Sequence, residues 1–225
     1  RLLFVSPSDW LAETARRSRA LADARISVIP NPLAPNQVKP MSAETLTRRP
    51  ISPSTIVFVT AAANISDPVK GIHFGIEAFS NAVEETDDAL LLVAGAGKAP
   101  PTNHSRVVFL GPVGPAHMAG LLSRADYLLV TSLAEKQPLL ISDAQSHGVS
   151  LIARDSTGLT EHATIDSHAK LFRSDGELTD TIRLAKESRP PGAAREQLQK
   201  AARERFSPSR VADEYLAVYE AALSS

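Results

Sequence analysis

Cysteine is absent from the 225-residue chain. A disulfide framework, a thiolate nucleophile and a cysteine-ligated metal site are therefore excluded. The six histidines do not recur at the spacings of metal ligands. A chain without cysteine is compatible with the reducing cytoplasm, and we expect a cytoplasmic protein.

The net charge is also small, because 24 Lys and Arg residues nearly balance 25 Asp and Glu residues and leave a net charge of −1. Such a chain has no long-range attraction for nucleic acid, and we predict no nucleic-acid partner. No apolar run approaches the ~20 residues of a membrane-spanning helix, and no signal-peptide pattern opens the chain. The chain starts at Arg1, directly on a strand-like segment, so we expect a fragment of a longer protein.

Short apolar runs are plentiful, and they alternate with helical patterns along most of the chain. Runs that are too short for helices and bounded by turn residues predict strands. They cover residues 2–5, 26–29, 56–59, 90–94, 107–110, 127–130, 151–153 and 171–172. These runs are apolar throughout, which is typical of a parallel sheet covered by helices on both faces. The sequence therefore predicts a Rossmann-like α/β fold.

Composition divides the chain into four predicted segments. Residues 1–30 hold two strands and a helix that begins at Ser6-Pro7, with Ser6 as its cap, and runs to about Asp23. Residues 31–54 are rich in Pro, Ser, Thr and Asn, which is typical of an interdomain linker. Residues 55–205 form the Rossmann-like domain. Residues 206–225 form a last helix, for which Ser207 is the predicted cap.

Ligands of an open parallel sheet bind at the carboxyl ends of its strands, where helix N-termini point their free N–H groups. Lys70-Gly71 follows the predicted strand 56–59 at the start of a predicted helix 70–83. An ammonium group and a helix dipole together suit a phosphate, and Gly71 would let an anion approach the backbone. A surface lysine followed by a turn glycine gives the same pattern.

A second strand exit is the loop that carries Glu135 and opens a predicted helix at Pro138. A proline at the helix start leaves the amides of Leu139 and Leu140 free to donate. Asp143 lies one turn deeper on the same face as Leu139. Carboxylates accept from hydroxyl groups and amides donate to oxygens, so this loop could hold a phosphorylated polyhydroxyl ligand. A solvated Glu135 and an ordinary helix acid at Asp143 are the alternative.

Other candidates carry weaker patterns. Gly111 to Pro115 could seat a flat base or form a simple turn. Gly95-Ala96-Gly97 is little more than a turn, because it lacks the rest of a phosphate-loop motif. The Glu161-His162 pair, just past Gly158, could reach the same cleft.

In their order along the chain, these segments resemble the retaining glycosyltransferases of the GT-B fold (group 1, family 4-like). That group includes sucrose-phosphate synthases and many bacterial cell-wall and polysaccharide enzymes. The resemblance covers nearly the whole chain. It rests on segments 5–10, 29–32, 70–71, 77–79, 91–97, 109–113, 125–126, 131–132, 135–144, 148–149, 152–153 and 158.

The resemblance implies that this chain is mainly the C-terminal, donor-binding domain. It places Lys70 at the donor diphosphate, Glu135 in the catalytic position against the transferred sugar, and Asp143 at the ribose hydroxyls. Residues Gly71, Pro138, Leu139 and Leu140 would complete the phosphate and sugar contacts, and Gly111 to Val113 would border the base. The donor would be a UDP- or GDP-sugar, with no cofactor and no metal. The last helix would cross back to the acceptor domain.

By the same resemblance, the acceptor is a glycan, a lipid or a small molecule, bound mainly by a domain that precedes Arg1. The isolated chain would then be inactive. The full-length protein would serve cell-wall, polysaccharide or glycolipid synthesis in the cytoplasm, and peripheral association with the inner face of the membrane stays open.

Two departures from the family pattern keep an alternative open. Asp143 stands where the family usually has Glu, and Ala61 to Asn64 occupy the stretch that usually supplies an Arg. An Arg binds a phosphate through two N–H groups at once, a geometry that Lys70 cannot reproduce. The alternative is a non-catalytic sugar-nucleotide-binding or interaction module of the same fold. An unrelated flavodoxin-like or regulatory α/β domain is a third hypothesis.

Overall fold

The computed structural model describes residues 2–34, 42–48 and 50–224. The first elements are β1 (Leu3–Ser6), α1 (Asp9–Arg16), β2 (Arg25–Val28) and α2 (Ala43–Thr47). The main body follows as β3 (Ile56–Asn64), α3 (Ile72–Ala82), β4 (Ala89–Ala96), β5 (Val107–Gly111), α4 (Pro115–Arg124), β6 (Tyr127–Val130), α5 (Leu139–Ser146), β7 (Ser150–Arg154), α6 (Leu159–Ala163), β8 (Lys170–Phe172), α7 (Asp175–Ala185), α8 (Gly192–Arg205) and α9 (Pro208–Leu223). No helix in the described ranges is long and apolar enough to cross a membrane.

The main sheet has six strands in the order β5-β4-β3-β6-β7-β8, and every neighbouring pair is parallel. The chain builds outward from β3 in one direction and then returns to add β6 on its other side. Such a reversal is the topological switch point of a doubly wound sheet, where the loops part and leave a crevice. The predicted Rossmann-like α/β fold is confirmed.

Two apolar clusters cover the two faces of this sheet, because successive side chains of a strand point to opposite sides. Phe58 of β3 packs on one face with Phe79 of α3 and Ile182 of α7. Its neighbours Val57 and Val59 pack on the other face, under α2, α4 and α5. Burial on both faces is the reason that the strands are apolar throughout.

The first segment forms a separate two-stranded parallel sheet of β1 and β2. It is joined to the main body through Glu161 of α6, whose carboxylate accepts the amides of Asp9 and Trp10 at the start of α1. A second tie runs from the Asn31 amide to the side-chain oxygen of Gln137, at 2.7 Å.

Helix α1 differs from the prediction at both of its ends. Its cap is Ser8, not Ser6, because Ser8 is extended and its side chain accepts the Leu11 amide, whereas Ser6 is the last residue of β1. The helix ends at Arg16 rather than near Asp23. Ser18 donates its hydroxyl proton to the Ala15 carbonyl at 2.6 Å, a local bond that competes with helix continuation.

Several other boundaries shift as well. Strand β3 continues to Asn64, five residues past the predicted end, and a short helix α2 lies inside the predicted linker 31–54. Residues 35–41 and 49 of that linker lie outside the described residues. Helices α6 and α7 did not follow from the apolar pattern. Ser207 caps α9 as predicted, by accepting the Arg210 amide.

Gly95, near the end of β4, offers a direct test of this packing. Its φ is +144°, and a Cβ added there would lie 2.0 Å from the Ala62 carbonyl oxygen. We expect Gly95→Ala to lower the free energy of unfolding by about 2–4 kcal/mol, from backbone strain and overpacking. Urea unfolding followed by circular dichroism measures the loss.

The matched control is Gly176→Ala in α7, where an added Cβ meets nothing within 4 Å. Because Gly is a poor helix former, this change should be neutral or stabilising by about 0.5–1 kcal/mol. Equal losses in the free energy of unfolding for the two variants would contradict the close approach at Gly95.

Candidate functional site

A cavity of about 610 Å³ opens at the carboxyl edge of the sheet, beside the switch point between β3 and β6. Its walls come from the end of β3, the end of β4, the β6–α5 loop and the first turn of α5. The lining includes six of the predicted site residues: Lys70, Glu135, Pro138, Leu139, Leu140 and Val113. The cavity therefore lies at the carboxyl edge of the sheet, which is the edge where the sequence predicts ligand binding.

Lys70 and Glu135 form an ion pair across this cavity. The Lys70 ammonium donates to Glu135 Oε1 at 2.6 Å, and the two side chains are 34% and 15% exposed. Among the residues that the structure describes, Lys70 is the only cationic side chain in the cavity lining. The positive charge predicted for phosphate binding is thus balanced by the carboxylate predicted to face the sugar.

A backbone contact holds the two loops together. Gly71 adopts a φ of +62°, and a Cβ added there would lie 2.7 Å from the Thr131 carbonyl oxygen. In return, the Thr131 hydroxyl lies within hydrogen-bonding distance of the Lys70 and Gly71 carbonyls, at 3.1 and 2.8 Å. Gly71 lies outside the cavity lining, and the group that approaches its backbone closely is Thr131.

The Glu135 loop is fixed from its other side by the turn before α6. The Glu135 amide donates to the Thr157 hydroxyl at 3.1 Å, and the Gly158 amide donates to the Glu135 carbonyl at 3.1 Å. A Cβ added at Gly158 would lie 2.1 Å from the Lys136 carbonyl oxygen, so only glycine fits under the loop. The sequence contains Gly158, but its role could not be read from the pattern alone.

Helix α5 presents its N-terminus to the cavity. Pro138 is the cap residue rather than the first helical residue, and within the described chain it makes no side-chain cap bond. Leu139 and Leu140 follow as the first helical residues, where the backbone amides have no partner inside the helix. These amides and the positive end of the helix dipole suit an anionic oxygen.

Asp143 lies one turn further along α5 and is not part of the cavity lining. Its carboxyl is half-buried, and burial raises its pKa, an effect that nearby His147 partly opposes. The shared face with Leu139, expected from helical spacing, therefore does not bring Asp143 to the cavity wall.

The base-side wall contains Pro112 and Val113 from the loop after β5 and Met118 from α4. Gly111 has a φ of +68° and lies outside the lining, at the turn that leads into this wall. Gly114 then caps α4, and Pro115 starts it.

Sequence reasoning missed the floor of the cavity. Thr60 to Ala63 of β3, Gly95 of β4 and Ser132 of the β6–α5 loop all contribute to the lining. The apolar run predicts a strand over residues 56–59, and the alanines that follow are weak strand formers. Their small side chains leave space at the strand end.

Glu161 and His162 lie away from this cavity. The Glu161 carboxylate accepts the Asp9 and Trp10 amides of α1, and His162 is buried with its ring 5.7 Å from that of Phe206. The His162 carbonyl accepts from the side-chain amide of Gln145 at 2.7 Å. The hypothesis that this pair reaches the cleft is therefore wrong, and its role is to join α1, α5 and α8. Among the described residues, no His, Asp or Glu cluster is arranged to hold a metal ion.

A family model described as glycosyl transferases group 1 matches residues 53–185. Sucrose-phosphate synthase from Thermosynechococcus elongatus is similar in structure, with a TM-score of 0.77 at 16% identity, over 99% of this chain and 58% of that one. Anabaena HepE, solved with UDP and glucose, has a TM-score of 0.72 at 19% identity, over 97% of this chain and 63% of that one. The pneumococcal O-GlcNAc transferase, solved with UDP and GlcNAc, has a TM-score of 0.72 at 17% identity, over 99% of this chain and 46% of that one.

At these identities, the structural likeness shows a shared fold, the GT-B glycosyltransferase architecture, and no more. This chain spans between 46% and 63% of the length of those three proteins. No curated protein matches the sequence.

The buried His162 predicts a pH dependence of stability. Burial lowers its pKa from 6.5 to about 4, with Arg205 adding to the effect. Between those pH values the unfolded chain binds a proton that the folded chain does not. The free energy of unfolding should therefore fall by up to about 3 kcal/mol as the pH drops from about 6.5 to about 4.

Urea unfolding at pH 7 and pH 5 tests this against His162→Gln, which does not titrate. Asp143 and Asp166, whose pKa values burial raises, are present in both proteins and cancel in the comparison. The variant should lose less stability on acidification than the parent. An equal loss in both proteins would show that His162 is not the group responsible.

Proposed function

The chain belongs to the glycosyl transferases of group 1, and from this premise we propose that it binds the nucleotide-sugar donor of a retaining transferase. The proposed site is the cavity beside the β3–β6 switch point. The observation that carries the proposal is the meeting of Lys70, Glu135 and the open N-terminus of α5 around one cavity. Two of the similar structures hold UDP with a sugar, which favours a UDP-sugar over other donors.

In the proposed complex, the diphosphate lies against the Leu139 and Leu140 amides, at the positive end of the α5 dipole. Lys70 turns from Glu135 to the phosphate oxygens, and Glu135 then accepts from hydroxyls of the transferred sugar. Val113 borders the base. Donor binding thus replaces one ion pair by two sets of charge-assisted hydrogen bonds.

The proposed reaction breaks the bond between the anomeric carbon and a diphosphate oxygen and forms a bond to an acceptor hydroxyl oxygen, with retention of configuration. The proton of that hydroxyl passes to the leaving diphosphate. Negative charge grows on the leaving diphosphate, where Lys70 and the α5 amides stabilise it. We propose that no metal or other cofactor takes part.

The remaining parts of the proposal concern the longer protein. Residues 1–30 would be the end of an acceptor-binding domain, 31–54 its linker, 55–205 the donor domain and 206–225 the helix that returns. The acceptor, whether glycan, lipid or small molecule, would bind mainly to that other domain. The isolated chain would be inactive, and the whole enzyme would work in the cytoplasm, at the inner membrane face if its acceptor is a lipid.

One observation favours a second candidate, a binding or interaction module without turnover. In the described ranges, the only cation of the cavity lining is already paired with Glu135, and alanines stand where the family usually has an arginine. A diphosphate therefore meets less positive charge here than in a typical member. Binding of a nucleotide-sugar by the longer protein, without hydrolysis or transfer, would identify this second function.

The donor site is tested by thermal unfolding with UDP, GDP and ADP. A ligand at about ten times its Kd should raise the Tm of this chain by about 3–6 °C. Lys70→Ala should weaken nucleotide binding by about 10- to 100-fold, because it removes a hydrogen bond between charged groups. The control is Lys136→Ala, an exposed residue of the β6–α5 loop outside the cavity lining, which should keep the full shift. No shift with any of the three nucleotides would refute the proposed site.

The proposed ribose contact of Asp143 has its own test. Since the contact is to ribose, Asp143→Ala should weaken the binding of UDP by about 1–2 kcal/mol, while inorganic pyrophosphate should bind as before. Isothermal titration of both ligands against both proteins measures this. Because Asp143 lies outside the cavity lining, the contact requires a small shift of α5. Unchanged UDP affinity would remove Asp143 from the site.

A further inference from the structure

A cluster of arginines lies at the amino edge of the sheet, opposite the donor cavity. At its centre is Asp126, directly before β6, whose side chain is 3% exposed. Arg195 of α8 and Arg189 reach the Asp126 Oδ1 atom at 3.1 and 3.2 Å, and Arg124 at the end of α4 reaches Oδ2 at 3.6 Å. Asp126 Oδ2 also accepts the Val57 amide, at 2.9 Å. We call these four residues the arginine site.

Backbone carbonyls hold the three guanidinium groups in place. Arg124 donates to the carbonyls of Ser52 and Thr55 at 2.7 and 2.8 Å. Arg189 donates to the same Thr55 carbonyl at 2.7 Å, and Arg195 donates to the Ala125 carbonyl at 2.9 Å. These neutral partners fix the geometry but supply no negative charge.

The charges at the arginine site therefore do not balance. In the described part of the chain, Asp126 is the only carboxylate that pairs with any of the three arginines. The Asp88 carboxylate interacts electrostatically with Arg124, but it accepts from the Ser54 and Thr55 hydroxyls and forms no ion pair with Arg124. Three cations around one anion leave an excess of two positive charges.

The arginine site opens into a depression of about 410 Å³. The side chains of Arg124, Arg189 and Arg195 line it and remain 19%, 37% and 23% exposed. Each guanidinium has five N–H donors, more than the contacts above use. Gly192, the first residue of α8, lies on the same wall, so the positive end of that helix adds to the field.

We propose that the arginine site binds a phosphate group, as inorganic phosphate or as the phosphate of a lipid headgroup. Two excess positive charges match a phosphate dianion, and planar guanidinium forks bind its oxygens in pairs. Arg195 and Asp126 form the fixed base of the site, and Arg189, the most exposed of the three, covers the anion. This site is separate from the proposed donor site.

Thermal unfolding in inorganic phosphate tests the site, with sodium chloride at equal ionic strength as the reference. At about ten times its Kd, phosphate should raise the Tm by about 3–6 °C. Arg189→Gln should abolish most of the rise, whereas Arg203→Gln, an exposed residue further along α8, should keep it.

Equilibrium dialysis with labelled phosphate at 10 °C provides a second measurement that does not depend on unfolding. Arg189→Gln should weaken phosphate binding there by at least about tenfold, the loss of one charged hydrogen-bonding partner. In the thermal-unfolding experiment, a Tm rise in phosphate no larger than in sodium chloride would overturn the proposal. An equal Tm rise in Arg189→Gln and Arg203→Gln would also overturn it.

The source of the phosphate is assigned with vesicles. Sedimentation with phosphatidic acid in phosphatidylcholine, lost in Arg189→Gln and absent with pure phosphatidylcholine, would support a lipid headgroup. Phosphate binding in solution without vesicle binding would support free phosphate. Vesicle binding that Arg189→Gln leaves unchanged would count against the arginine site as a lipid site.

Discussion

The close approach of Gly71 to Thr131 is the contact on which the candidate site depends. Only a residue without a Cβ can take a φ of +62° with the Thr131 carbonyl so near, and the Thr131 hydroxyl bonds back to the same turn. These backbone contacts join the β3–α3 turn to the β6–α5 loop across the switch point. They place Lys70 and Glu135, 65 residues apart in sequence, at 2.6 Å from each other.

The Lys70–Glu135 pair sets the electrostatics of the carboxyl edge, and the arginine site sets those of the amino edge. At the carboxyl edge, one cation and one carboxylate leave the positive end of α5 as the main attraction for an anion. At the amino edge, three arginines share Asp126 and leave a positive excess. An anion that binds at either edge thus meets a different balance of helix dipole and formal charge.

Sequence alone predicted the parallel sheet, because strands buried on both faces are apolar throughout, and it predicted the edge at which Lys70, Glu135 and the start of α5 meet. It could not predict the floor, since β3 continues past Val59 through the pairing of Thr60, Ala61 and Asn64 with β4, with an irregularity between Ala61 and Asn64. It also could not place Asp143, because helical spacing fixes a face but not the few degrees that decide whether a side chain reaches the cavity. The short helix α6, with Glu161 and His162, depends on tertiary contacts with α1 and α8 that no local pattern reports.

A crystal structure of this chain with a bound nucleoside diphosphate tests the central claim most directly. The account predicts phosphate oxygens within about 3 Å of the Leu139 and Leu140 amide nitrogens, the normal range for such hydrogen bonds. It also predicts that the Lys70 ammonium has moved from Glu135 to a phosphate. A nucleotide bound elsewhere, or one bound here with the Lys70–Glu135 pair intact and the amides of α5 unoccupied, would contradict it.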